Sequence, residues 1–332
     1  MSQSPDIQTV VSYDAPWNIY GIDWCNYGEQ SNSQRLLLSS FREDYSNAIQ
    51  ILNYNANEGS ITKMEEINAT YPPTKVMWTP NPHVYHTDIF AYSGDYLRVY
   101  RLAEGSTCPI VDAILNKDNS PDRCSPVSSF DWNAFNTQII AAATLDSICT
   151  IWDIDMQQTV ANTRAHPSEI YDIAFSPVVM DTFITCGKDG SIRLFDIRCV
   201  NKYSIFHKRE DSLPILRVAW NPINAMTVGF VTYNQPEVTI IDVRSPEKEL
   251  KLTTHAAPVN AIEWSPSQMS YFVSVGEDGK SLIWDFQKLS GDKAFDPIFM
   301  YSVSKPINNV KWSKRKPEWL ALCFDSTLQI CR

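Results

Sequence analysis

Residues 169 to 198 read EIYDIAFSPVVMDTFITCGKDGSIRLFDIR, and this stretch decides the fold. Ile170, Ile173 and Phe175 fall in a short apolar run closed by Ser176-Pro177, Phe183 to Cys186 make a second run, and Ile192 to Ile197 a third. The last two are separated by Gly187-Lys188-Asp189-Gly190, and Asp-Gly between alternating apolar runs is a strong hairpin signal. The stretch is predicted to be a three-strand meander. Such a unit has two hydrophobic faces and buries neither alone, so it requires a neighbour on each side.

Copies of the unit run from end to end. The first-strand aromatic recurs as Trp24, Trp78, Trp132, Phe175, Trp220, Trp264 and Trp312, at intervals of 54, 54, 43, 45, 44 and 48 residues. Pro80, Pro177, Pro222 and Pro266 follow four of these two residues later and end the strand by removing an N–H donor. A second landmark closes the third strand about 20 residues on: Val99-Tyr100, Ile151-Trp152-Asp153, Leu194-Phe195-Asp196, Ile241-Asp242, Ile283-Trp284-Asp285 and Ile330-Cys331. Turns carrying Asp95, Asp146, Asp189, Asp278 and Asp325 precede it.

A period near 40 to 45 with a Trp-Asp ending resembles the WD repeat, one four-stranded blade of a β-propeller. The expected fold is all-β: a single seven-bladed propeller, with blades at approximately 15–55, 74–102, 126–155, 169–198, 214–244, 258–286 and 306–332. Each blade needs a fourth strand, yet the last copy reaches Arg332 with its third. Residues 7 to 13, Ile-Gln-Thr-Val-Val-Ser-Tyr, alternate acceptably and are expected to supply the missing strand, which closes the ring and removes its open edge.

The resemblance also implies a buried hydrogen-bonded tetrad in blade 6: His255 before the first strand, Ser274 on the second, Asp278 in the turn and Trp284 on the third. Blade 4 offers His166, Thr185 and Asp189, with Phe195 where the tryptophan would stand. A His-Ser-Asp set invites comparison with a catalytic triad, but the serine lies in an apolar strand and the set partly recurs in another blade, as a scaffold would have it. G-x-G-x-x-G, G-x-x-x-x-G-K-[ST], G-x-S-x-G and H-E-x-x-H are all absent from the sequence, and the chain is expected to be no enzyme and to use no cofactor or metal.

Composition narrows the setting. A net charge of -10, with Lys314-Arg315-Lys316 the longest basic run, argues against a general nucleic-acid surface. MSQSPDIQTV has neither basic start nor apolar core, and no apolar run approaches 18 residues, so neither a signal peptide nor a membrane span is expected. Eight cysteines without a C-x-x-C pair read as reduced thiols of an intracellular protein, cytoplasmic and nuclear.

More specific stretches include Asp14-Ala15-Pro16-Trp17, Pro72 to Trp78, Ser93 to Val99, Ser129 to Asn133, Ile148 to Trp152, Glu169 to Ser176 and Ile307 to Val310. Together they resemble the WD-repeat family of the plant Transparent Testa Glabra and anthocyanin regulators and their animal relative, a cullin-ligase-associated factor that scaffolds kinases. The resemblance implies a non-enzymatic scaffold, monomeric within larger complexes. Its implied partners are helix-loop-helix or MYB transcription factors, or dual-specificity tyrosine-regulated and homeodomain-interacting kinases.

A second function class rests on Asp196-Ile197-Arg198 and Asp242-Val243-Arg244, which resemble the box by which substrate receptors dock on the adaptor of a cullin-RING ubiquitin ligase. The alternative for each arginine is a local ion pair. A third class, capture of a modified peptide in the central channel, would draw on Tyr96, Asp131, Asp172 and Glu263. For a scaffold, Tyr45, Tyr96, Arg98, Lys188 and Glu277 are expected near a partner surface, because second-to-third-strand turns gather at one end of a propeller.

Overall fold

The computed structural model describes residues 10–26, 33–80, 88–102, 108–116, 125–289 and 296–332. They form seven four-stranded sheets in which every strand pairs antiparallel with its neighbour. The first strands of successive sheets touch and line a central axis. All seven end on the landmark aromatic, from Ile19–Trp24 in blade 1 to Asn309–Trp312 in blade 7. This is the seven-bladed propeller that the spacing called for.

Blades 1 to 6 span 19–69, 75–115, 127–164, 170–208, 215–252 and 259–302. The ranges read from sequence stop one strand short of this, at the third strand. The outer strand is hard to see in the residues because it alternates between solvent and blade: Gln158–Arg164 is exposed or half-buried at every position. Blade 7 takes its outer strand from Val10–Asp14, paired to Thr327–Cys331 with Val10 opposite Cys331. Residues 10 to 13 of the expected closing strand are thus seen in place, and residues 7 to 9 lie outside the described residues. Thr327 Oγ1 donates to Asp14 at 2.8 Å, and the Tyr13 hydroxyl donates to Gln50 of blade 1 at 2.9 Å.

The core lies between blades. One cluster sets Leu37, Ile49 and Ile51 of blade 1 against Val76, Trp78 and Phe90 of blade 2. Another sets Ala141, Cys149 and Ile151 of blade 3 against Ile173, Phe175 and Phe183 of blade 4. Aromatic ladders cross blades 2, 4 and 6, and the pairs Phe90–Tyr100, Phe183–Phe195 and Phe272–Trp284 stack at 5.5, 5.3 and 5.9 Å. Such pairs add roughly 0.5–1.5 kcal/mol beyond the area they bury. The second-to-third turn of blade 4 depends on Gly190 at φ +68°, where a Cβ would stand 2.9 Å from the Leu213 carbonyl oxygen.

Two features of the inner strands shape the channel. A register shift falls at Tyr20, Ser128, Tyr171, Leu216 and Asn260, one per blade in five blades. A bulge at this place re-aims its side chain, here where the inner strands begin. Inner-strand carboxylates also join neighbouring blades: Asp23 accepts from the Trp78 N–H and Asp131 from the Phe175 N–H, both at 2.7 Å, and Asp172 from the Val218 N–H at 3.1 Å.

Candidate functional site

The tetrad of blade 6 is assembled and buried. His255 Nδ1 lies 3.0 Å from Asp278, its Nε2 lies 2.8 Å from Ser274 Oγ, and Trp284 Nε1 donates to the same oxygen at 2.9 Å. Every group is satisfied when Nδ1–H donates to Asp278 and the serine hydroxyl donates to Nε2. Burial holds the His255 pKa below its ordinary value despite the carboxylate beside it. Ser274 is fully buried, and its oxygen is engaged from both sides, which is a clamp and not a nucleophile.

Blade 4 repeats the clamp without the indole. His166 bridges Asp189 and Thr185 at 2.9 and 2.8 Å. Arg193 compensates, donating to Asp189 at 2.9 Å and to the Ala165 carbonyl at 3.0 Å. The hydrogen bonds from His166 and Ser191 outweigh burial and hold Asp189 well below the carboxylate range.

At the end of the ring carrying the second-to-third turns, the five expected partner-surface residues are spread over blades 1, 2, 4 and 6. Tyr45 is 76% exposed and meets Tyr71 edge-on at 5.6 Å. Arg98 stands on the third strand, not in the turn; its guanidinium lies 5.2 Å from the Tyr96 ring, 5.6 Å from the Tyr92 ring and bonds Asp95. Lys188 pairs with Glu169 at 2.9 Å, and Glu277 is an exposed turn residue. Tyr96 lines a groove between blades 2 and 3, so its expected place at the channel mouth is not where the fold puts it.

Asp131, Asp172 and Glu263 do line the channel. They form no free acidic ring: Asp131 and Asp172 hold backbone N–H groups of the next blade, and Glu263 pairs with Lys311 at 3.0 Å. Burial raises the Asp131 pKa even with Lys75 and the Phe175 N–H opposing it.

The opposite end carries both Asp-x-Arg elements. Arg198 bonds Asp196 through Nε and Nη2 at 2.9 and 2.6 Å, and Arg244 bonds Asp242 at the same two distances. The arginine bond lowers both carboxyls, Asp242 to about 2. The local pair weighed from sequence has formed, yet the arginine side chains remain 69% and 70% exposed.

What the sequence reading missed is the company these arginines keep. The Ile197 N–H donates to the Asp181 backbone carbonyl and the Val243 N–H to the Met226 carbonyl, both at 2.8 Å, which seats each element against the first-to-second loop of its own blade. Those loops expose Val178, Val179 and Met180 in blade 4 and Ile223 and Met226 in blade 5, flanked by Phe135 and Met156 of blade 3 and Met269 of blade 6. Asn133 and Asn221 splice the arc, donating to the Met180 and Met269 carbonyls of the next blade at 2.6 and 2.8 Å. The signal was present as Trp132-Asn133 and Trp220-Asn221, where the other five blades have Cys25, Thr79, Ser176, Ser265 and Ser313 after the aromatic. Among the described residues no group of metal-ligating side chains gathers, and no helix is long and apolar enough to cross a membrane.

Comparison with known proteins agrees with the architecture. The WD domain, G-beta repeat family is matched over residues 157–196 and 246–285, the stretches that contain the two His-Asp clamps. The chain is 33% identical over 324 residues to a DDB1- and CUL4-associated factor 7 homolog of Dictyostelium discoideum, covering 97% of this chain and 98% of that protein. It is 25% identical to an uncharacterized WD repeat-containing protein of Schizosaccharomyces pombe, over 96% of this chain and 89% of the other. A more distant likeness, 21% identity over 58% of this chain and 24% of the relative, is to the GATOR2 complex protein WDR24 of Danio rerio. With its seven blades, its clamps and this full-length identity, the chain belongs to the WD-repeat family of DDB1- and CUL4-associated factor 7.

Proposed function

We propose that this WD40 interaction scaffold brings protein kinases of the dual-specificity tyrosine-regulated and homeodomain-interacting types, or helix-loop-helix and MYB transcription factors, to their partners in nucleus and cytoplasm. The observation that carries the reading is the pair of unlike surfaces at the two ends of one ring. One end offers aromatic and charged turns around Tyr45, Tyr71 and Arg98. The other offers an apolar arc with two arginines. Two partners held on one rigid body meet at raised effective concentration.

A second reading is favoured by the arc itself. Exposed apolar side chains beside Arg198 and Arg244 suit docking on a cullin-RING ligase adaptor, and the name of the Dictyostelium relative points the same way. Quantitative affinity purification separates the two, comparing wild type with an Arg198→Ala, Arg244→Ala double variant of verified fold. Kinases or transcription factors recovered equally with both support the scaffold; a ligase adaptor recovered with wild type and lost from the variant supports docking. If neither class of protein is enriched over an unrelated propeller, both readings fail.

A further inference from the structure

Arg217 is the exception among the enclosed arginines. Arg35, Arg98, Arg193 and Arg209 each meet a carboxylate. Arg217, on the inner strand of blade 5, forms no ion pair among the described residues. Its neighbour Asp172 is already engaged by Ser129 Oγ at 2.7 Å, by the Val218 N–H at 3.1 Å and by the Lys75 ammonium at 3.8 Å. The side-chain hydrogen bond Arg217 does make, to the Tyr20 hydroxyl of blade 1, is 3.4 Å long. That contact crosses the channel, with blades 6 and 7 between the two strands on one side. A guanidinium carries five N–H donors and is costly to enclose without an anion, so this one is under-used where it stands.

The surroundings say what would complete it. Three residues before the landmark aromatic, the channel wall carries Lys75, Asp172 and Arg217, a net positive level. Directly before the aromatic it carries Asp23, Asp131 and Glu263 against Lys311, a net negative level. An anion entering from the Arg217 end is attracted at the first level and repelled at the second, so its depth is fixed. The channel encloses about 480 Å³, room for a side chain but not for a folded element. This end carries aromatic side chains: Tyr20 lies against Phe41 at 5.5 Å, and Tyr233 of blade 5 is 57% exposed.

We propose that this end of the channel binds an extended partner peptide through one anionic group, seated on Arg217 in place of the Tyr20 hydroxyl. A carboxylate or a phosphate accepts two parallel N–H bonds from a guanidinium, which the phenol oxygen cannot. The aromatic mouth takes the flanking residues. The mouth shares the end that carries the second-to-third turns, with Phe41 in the same turn as Tyr45, but Arg217 itself stands on the inner strand and in neither loop surface, so its failure leaves the scaffold reading standing.

The test is fluorescence anisotropy on the full chain with labelled short peptide pools that share one central residue: glutamate, glutamine or phosphoserine. A fourth pool ends in a free carboxylate and a fifth is its amide. At least one anionic pool is expected to bind saturably, and its neutral counterpart roughly tenfold more weakly or worse, a difference of about 1.4 kcal/mol. Arg217→Met removes the binding, Tyr20→Phe keeps or strengthens it, and Arg198→Ala with Arg244→Ala leaves it unchanged. Whichever anionic pool binds best identifies the source of the charge. Absence of saturable binding by every anionic pool, equal binding of neutral and anionic pools, or undiminished binding by Arg217→Met overturns the proposal. Should Arg217→Met fail to fold, the Arg217 Nε–H resonance of the wild-type chain must move on addition of the best anionic pool, and an unmoved resonance overturns it too.

Discussion

Trp284 gives its indole N–H to Ser274 Oγ at 2.9 Å, while Phe195, at the equivalent place in blade 4, gives no bond and lies stacked on Phe183. The two clamps therefore differ in how much of their hold comes from the third strand. Trp284→Phe removes a buried donor and part of a buried ring, and is expected to cost about 2–4 kcal/mol. Denaturant unfolding monitors this; a loss below about 0.5 kcal/mol would show that Ser274 does not need the indole.

Acid should weaken the blade 6 clamp in two separate windows. Burial keeps the folded His255 pKa below that of the free imidazole, so the unfolded chain binds its proton first and stability falls as pH drops below about 6.5. Asp278 is shifted down by the Ala256 N–H and His255 against the opposing effect of burial, so its contribution is present above about 3.9 and is lost only as pH falls further. Unfolding midpoints measured from pH 7 to pH 3 should show the first decline in wild type and not in His255→Gln. A decline of equal size in the variant would assign it to another group.

Asp131 offers a contrast in sign. Its folded pKa is raised by burial, so whatever stability its protonation contributes is complete below about 3.9 and disappears as pH rises through the raised value. Asp131→Asn keeps an acceptor for the Phe175 N–H, which sits at 2.7 Å, and carries no charge. At pH 7 its melting temperature should equal or exceed that of wild type, whereas Asp131→Ala, which orphans the N–H, should lose about 1–3 kcal/mol. Equal losses in both variants would mean that the charge itself is needed, through Lys75.

Removing residues 1 to 14 strips the outer strand from blade 7 and exposes the Thr327–Cys331 edge. The melting temperature should fall and light scattering on heating should rise, because an unpaired strand edge templates association. An unchanged melting temperature would mean that the ring is held without this strand.

The cysteines divide by burial. Among the described residues, Cys108 and Cys199 are exposed, while Cys25, Cys149, Cys186, Cys323 and Cys331 are buried. Desolvation pushes the thiols of Cys323 and Cys331 up to about 12. Iodoacetamide at pH 8 followed by peptide mass spectrometry should label the two exposed positions within minutes and the five buried ones only after denaturant is added. Fast labelling at Cys323 in native buffer would show that blade 7 opens.

How far the sequence could be read follows from how local each signal is. Trp24 to Trp312 fixed the phase of all seven inner strands because each aromatic ends its strand beside a turn. The His255–Asp278 and His166–Asp189 spacings, each 23 residues, lie within one repeat and were visible for the same reason. The outer strands were blurred because half their positions face water. The Tyr20–Arg217 contact joins residues 197 apart and depends on how the ring closes, which no window of sequence displays. Likewise the arc from Phe135 to Met269 is assembled from loops of four blades, each carrying no more than a few apolar residues that look unremarkable alone.

The register of Val10 with Cys331 also sets a timetable for the ribosome. The strand that finishes blade 7 is made before any of its three sheet partners. At about 5–20 residues per second, it waits roughly 15 to 60 seconds of translation for the segment it must join. During that wait it has no sheet to protect it, and its makeup fits the delay. Val10–Asp14 alternates between exposed and half-buried positions even in the finished ring, with Ser12 and Asp14 on the solvent side. A strand this modest in its apolar content can stay in solution beside six growing blades. It then commits only when Thr327–Cys331 emerges, so ring closure waits until the strands of all seven blades have been made.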